Sequence, residues 1–177
     1  MSLTAGLGVF REGARWPRAL SCTIALAAVA LPALAHAGAI PLTPEGYGLI
    51  RFGMSLAAAE KAMGQHTRER HHNDSCQYVT FRKYPGISFM LEKGLIVRGD
   101  ADKNLPNAAG ARLGMEAVRI EALRDQYREQ ESEQDYVSYE LKTPDGRAAL
   151  VVETVDGLVH GIWAGLFPAY TYYEGCL

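Results

Sequence analysis

The chain has 177 residues, 48% of them hydrophobic, with 18 basic and 20 acidic side chains and a net charge of −2. That balance leaves no basic stripe to neutralise phosphates, so nucleic acid is not an expected partner. No Gly-rich phosphate loop, nucleophile elbow or His-Glu-x-x-His pattern occurs, and so no catalytic signature names a substrate.

Residues 1–37 read as a secretory signal peptide. Arg11, Arg15 and Arg18 precede an uncharged run from Ser21 to Ala35 that ends in small residues, with Ala35-His36-Ala37 as the expected cleavage site. The apolar core is shorter than the ~20 residues a spanning helix needs, so no membrane span is expected. Cys22 precedes that core, which is the wrong order for a lipid-attachment site. Cleavage would remove those three arginines and Glu12, taking the net charge from −2 to −4. Export to the periplasm or the exterior favours pairing of thiols, and Cys76 and Cys176 are the cysteines left after cleavage. A disulfide between them is predicted, closing a loop of about 100 residues.

Residues 38–46 hold Pro41 and Pro44 and read as an extended leader. A first unit, 47–103, opens with Leu49-Ile50-Arg51-Phe52-Gly53-Met54-Ser55. Ser55 is placed to cap a helix running to about Met63, with Leu56, Ala59 and Met63 on one face and Gly64 as the stop. Gln65 to Ser75 is polar and reads as a loop. Three strands follow, Cys76 to Lys83, Ile87 to Leu91 and Leu95 to Arg98, separated by Tyr84-Pro85-Gly86 and Lys93-Gly94. A second unit, 104–177, repeats the plan. Arg51 and Arg112, Met54 and Met115, Glu60 and Glu121, and Tyr78 and Tyr139 all stand at one offset of 61 residues. Its helix is predicted over Glu116 to Tyr127 and its polar loop over Glu129 to Asp135. Its strands are predicted over Tyr136 to Thr143, Ala148 to Val155 and Leu158 to Ala164, and the tail Phe167 to Tyr173 is a candidate fourth strand. Asp156-Gly157 is a type I′ hairpin signal. The expected fold class is α+β: two tandem units, each a short helix on a three- or four-stranded antiparallel sheet, forming one compact domain together.

Three groups of residues are candidates for chemistry or binding. His66, His71, His72 and Asp74 offer imidazole and carboxylate to zinc or copper, with His71, His72 and Asp74 the candidate ligands, although the spacing matches no established pattern and a solvated polar loop is the favoured account. Glu129, Glu131, Glu133 and Asp135 resemble neither a calcium loop nor a carboxylate pair. Trp163, Tyr170, Tyr172 and Tyr173, with Phe167 among them, concentrate the amphipathic aromatic surface that binding hot spots use, and they fill sheet cores as readily. Arg51 and Arg112 are expected to tie each unit's first strand to a carboxylate or carbonyl.

The run Arg51-Phe52-Gly53-Met54-Ser55, with Glu60 and Gly64, resembles the helix-start signature of tandem-repeat α+β envelope proteins. These are the β-lactamase inhibitory protein and the SmpA/OmlA-type outer-membrane assembly lipoprotein. The resemblance covers about twenty residues in the first unit and about ten in the second, where Glu116 and Asp125 depart from the pattern. It implies a helix pair packed on an antiparallel sheet.

Together these readings give an exported, non-enzymatic protein-binding module of the bacterial periplasm or exterior, needing no cofactor and engaging a protein of the cell envelope. Enzyme inhibition and an accessory role in the envelope are two forms of it. The alternative is a small metal-dependent or hydrolytic enzyme using the His66–His72 loop.

Overall fold

A computed structural model describes residues 39–71, 76–120, 127–129 and 136–176, with the backbone alone described for 68–71 and 127–129. The predicted signal peptide lies outside these residues. Those described belong to one compact unit, Ala37–Leu177.

β1 (Leu42–Thr43), β2 (Gly46–Tyr47) and β3 (Ile50–Arg51) make a small antiparallel sheet, so the leader is not simply extended. Neither Pro41 nor Pro44 falls within a strand. The leader docks through Leu42, whose N–H donates to the Pro106 carbonyl at 2.8 Å and whose carbonyl accepts from Ala108 at 2.9 Å. Next comes α1 (Leu56–Met63). The Ser55 hydroxyl accepts from the Ala58 N–H at 3.2 Å, and Gly64 ends the helix in the left-handed conformation, as the residue types at those two positions predict.

The remaining strands form one antiparallel sheet. They are β4 (Arg68–His71), β5 (Cys76–Thr80), β6 (Ile87–Glu92), β7 (Leu95–Ala101), β8 (Tyr127–Glu129), β9 (Tyr136–Lys142), β10 (Ala148–Val155) and β11 (Leu158–Leu166). Their order is β4-β5-β6-β7-β11-β10-β9-β8, a palindrome in which two four-stranded meanders meet at β7 and β11. Asp100 faces Trp163, Gly99 faces Ala164 and Arg98 faces Gly165 across that seam. A side chain at 165 would bring its Cβ to 2.6 Å from the Val97 carbonyl oxygen, so glycine is what lets the strands close there.

This architecture corrects the expected α+β class. Strand far outweighs helix among the described residues, which hold one α-helix, not one in each unit. Where the second helix was expected, Ala117–Arg119 makes a single 3₁₀ turn and Tyr127 is already in β8. The physical difference lies at the start. Glu116 stands where Ser55 stands in the first unit, and its carboxylate pairs with Arg119 at 2.9 Å instead of capping a backbone N–H. Val118 and Ile120 add β-branched side chains that lower helix propensity. Two further expectations change. The predicted loop after α1 contains β4, and the tail forms a 3₁₀ turn over Ala169–Thr171 in place of a fourth strand.

Backbone hydrogen bonds nonetheless recur. The Gly53 N–H donates to Ile96 and the Ile96 N–H to Met54, at 2.7 and 2.8 Å; Gly114 donates to Val159 and Val159 to Met115, both at 2.8 Å. Each Gly-Met element is thus zipped to the start of its meander's last strand.

Alternation along the strands sends apolar side chains to both faces. Leu150, Val152, Ile162 and Ala164 join Val79, Ile87 and Phe89 in the main core, beneath Leu42, Ile50, Ala59 and Met63. On the opposite face Ala149, Val151 and Trp163 meet Tyr170, while Met90 meets Cys76 and Cys176. Burial on both faces explains why β10 reads as a continuous apolar run.

Candidate aromatic groove on a clamped tail

The second face is covered by the chain after β11. Its path turns at a cis Phe167–Pro168 peptide and returns over the sheet through Ala169–Thr171. Three carbonyls of this tail are held by side chains of the sheet beneath. The Trp163 indole N–H donates to the Tyr170 carbonyl at 2.8 Å, and Arg98 Nη1 donates to the carbonyls of Ala169, at 3.4 Å, and Tyr172. The far end is tied covalently by the Cys76–Cys176 disulfide, whose partners are 100 residues apart.

Arg98 is the centre of this clamp. Its side chain is buried, its Nε donates to both oxygens of Asp100 at 2.9 and 3.1 Å, and its guanidinium lies 4.5 Å from the centre of the Trp163 ring. Burial raises the Asp100 carboxyl above the usual range, and Arg98 opposes the rise. The neighbouring Tyr78 phenol is pushed up to about 12, by burial first and then by the Asp100 charge.

The clamp fixes Phe167. Its N–H donates to the Arg147 carbonyl at 2.8 Å and its ring stands edge-on to buried Tyr170, with centroids 6.1 Å apart, yet 66% of the residue is exposed. Phe167 forms one side of a groove of about 770 Å³ lined also by Glu45, Phe52, Pro144, Arg147 and Leu166. The lining is largely apolar, and its charges are unequal in availability. Asp145, at the rim, accepts from the Thr143 hydroxyl at 2.7 Å and from the Arg147 N–H and Nε at 3.1 and 2.6 Å. Those bonds, that from Thr143 first, hold its carboxyl far below the usual range and engage Arg147 with it. Glu45 is exposed, and among the described residues its carboxylate has no hydrogen bond or ion pair.

The aromatic residues singled out in the sequence are therefore divided by the fold. Trp163 is buried beneath the tail and Tyr170 within it, while Tyr172 and Tyr173 are half-buried, Tyr173 edge-on to Trp163. Phe167 belongs to that aromatic group and is the member left exposed, whereas Phe52, Pro144 and Glu45 were not selected, because they come from separate turns that only the fold assembles. The one signal was a Phe in the helix-start element where the second copy has Leu113. Arg51 and Arg112 are exposed, with no side-chain partner among the described residues, contrary to the tying role expected of them.

The histidine loop is only partly described. His72 and Asp74 lie outside the described residues, and His71 is described as a strand position of β4 opposite Gln77. His66 is exposed and its Nδ1 is 3.2 Å from Glu60, which also accepts from the Thr67 N–H at 2.8 Å; that backbone bond is the main cause holding the Glu60 carboxyl low. Among the described residues no group of three His, Cys, Asp or Glu side chains is placed to hold a metal ion. Of the acidic run, Glu129 is a backbone position in β8 and Glu131, Glu133 and Asp135 lie outside. No described helix is long and apolar enough to cross a membrane. No protein-family model, curated protein or solved structure matches the chain.

Proposed function

We propose that the chain is an exported, non-enzymatic protein-binding module that takes an apolar segment of a partner protein in the groove between Phe52 and Phe167. The observation that carries the reading is Phe167 itself, 66% exposed although its backbone N–H is held by the Arg147 carbonyl and its ring stands edge-on to buried Tyr170. An exposed aromatic ring on a backbone already held in place costs little further ordering when a partner covers it, which suits a hot spot. Export is supported by the cystine, which persists in oxidising compartments, and by the signal-like residues 1–37. The periplasm and the exterior are the two places this allows, and enzyme inhibition or an accessory role in the envelope are the forms binding would take there. The likeness of the Arg51 to Ser55 run to envelope proteins and the palindromic strand order support a duplicated strand unit within such a protein. A metal-dependent or hydrolytic role for the His66–His72 loop has no observation in its favour among the described residues.

Site-specific photo-cross-linking in intact cells tests the proposal. A cross-linking amino acid at Phe167 is expected to yield a discrete protein adduct that Phe52→Ala reduces severalfold, while the same probe at exposed Val118, away from the groove, yields none of it. Folded protein with no adduct from position 167 would sink the reading.

A further inference from the structure

The groove's charge points to the chemistry of what it takes, on the premise that the groove is the binding surface. Its apolar lining, Phe52, Pro144, Leu166 and Phe167, suits one aliphatic or aromatic side chain. Of the three charged groups at its wall and rim, Asp145 and Arg147 are paired through Arg147 Nε, and the Asp145 carboxylate is further occupied by the Arg147 backbone N–H and the Thr143 hydroxyl. Glu45 is what remains. It sits in the turn between β1 and β2, a position held from both sides: its own carbonyl accepts from the Phe52 N–H at 3.0 Å, and the Thr43 hydroxyl donates to the Gly46 carbonyl at 3.1 Å. An uncommitted carboxylate on a fixed turn beside an apolar groove is complementary to a cation adjoining an apolar side chain. The net charge, −2 for the whole sequence and −4 without residues 1–37, has the same sign. Arg51 follows Ile50 close by, but it does not line the groove.

We infer that the occupant is a protein segment in which an apolar side chain, seated against Phe52 and Phe167, is adjacent to a lysine or arginine that pairs with Glu45. Calorimetry or fluorescence anisotropy with three short peptides, identical except for Phe-Lys, Phe-Gln or Phe-Glu at their centre, tests this. The Lys peptide is expected to bind tightest, by roughly two- to fivefold over the Gln peptide at low salt, as for an exposed ion pair. That margin should shrink as ionic strength rises. Glu45→Gln should abolish it and Glu45→Lys should reverse the order in favour of the Glu peptide. Circular dichroism keeps loss of fold out of the comparison, because Glu45 is exposed and its turn is held by backbone atoms. If all three peptides bind equally and Phe167→Ala weakens each, the charge inference is overturned while the groove stands as the binding surface. If none binds and position 167 gives no cross-link, both fall.

Discussion

Arg98 carries its charge into the space between the sheet and its tail. Asp100 pairs with it, Trp163 offers the face of its ring, and the carbonyls of Ala169 and Tyr172 accept from Nη1. An ion pair so enclosed adds little net stability against an apolar substitute, but losing one partner leaves the other buried and unpaired. What it does here is tie the tail to the sheet, at the carbonyls of Ala169 and Tyr172. Tyr78 reports on the same environment. Its phenol is raised to about 12 against an ordinary 10.0, so the folded chain holds that proton more tightly than the unfolded chain does. Stability is therefore expected to fall as pH rises from about 10 towards 12, and tyrosinate absorbance should show a late phase, to which Tyr47, also raised by burial, adds. Tyr78→Phe should remove one phenol from the late phase and its share of the alkaline loss. An unchanged late phase in Tyr78→Phe would count against the buried contact.

At the level of elements, two copies of one start signal end differently. Ser55 caps α1, whereas Glu116 opens a single 3₁₀ turn, although both follow a Gly-Met pair bonded in the same way to the sheet. A helix of eight residues cannot hold itself in water and depends on its cap and on Ala59 and Met63 beneath it. Ser55→Ala is expected to cost about 1 kcal/mol in urea unfolding, with hydrogen exchange rising in Leu56–Met63 before it rises in β10. Unchanged exchange in α1 would show that packing alone sustains it. The hairpin tips were easier to read than the helices. Lys93-Gly94 and Asp156-Gly157 both adopt positive φ, at 50° and 78° and at 51° and 76°, which is the backbone a type I′ turn demands and which Asp-Gly advertises. The limits of the six predicted strands follow the predicted runs to within a few residues for that reason, whereas β4 and β8 fall where a loop and a helix end were expected.

For the molecule as a whole, the seam between β7 and β11 merges what would be two small sheets into one, and the cystine ties the chain's last residues to the first meander. Cross-linking across 100 residues restricts the unfolded chain strongly. Reduction, or Cys76→Ser with Cys176→Ser, is expected to lower stability by about 2–4 kcal/mol. Mass analysis of the protein as it exists in the cell should find no free thiol at these positions. If the tail serves the groove, the double serine variant should also lose much of the cross-link from position 167, because Tyr170 would no longer be held beneath Phe167. An undiminished adduct would mean that Arg98 and Trp163 suffice to hold the tail.

By itself the sequence determined what depends on neighbours along the chain or on composition: the Ser55 cap and Gly64 stop of α1, the turns and apolar runs of six long strands, and the pairing of Cys76 with Cys176. Those features follow from torsional preference, side-chain period and redox setting, all of which are local or compositional. Only the tertiary structure decided that the second start signal makes no α-helix in the residues described, that Trp163 and Tyr170 face inward while Phe167 faces out, and that Glu45, Phe52, Pro144 and Phe167 share one groove. Such outcomes are set by which strands meet across the seam and by where the tail is pinned. Contacts of that kind join residues up to a hundred positions apart, and no local pattern encodes them.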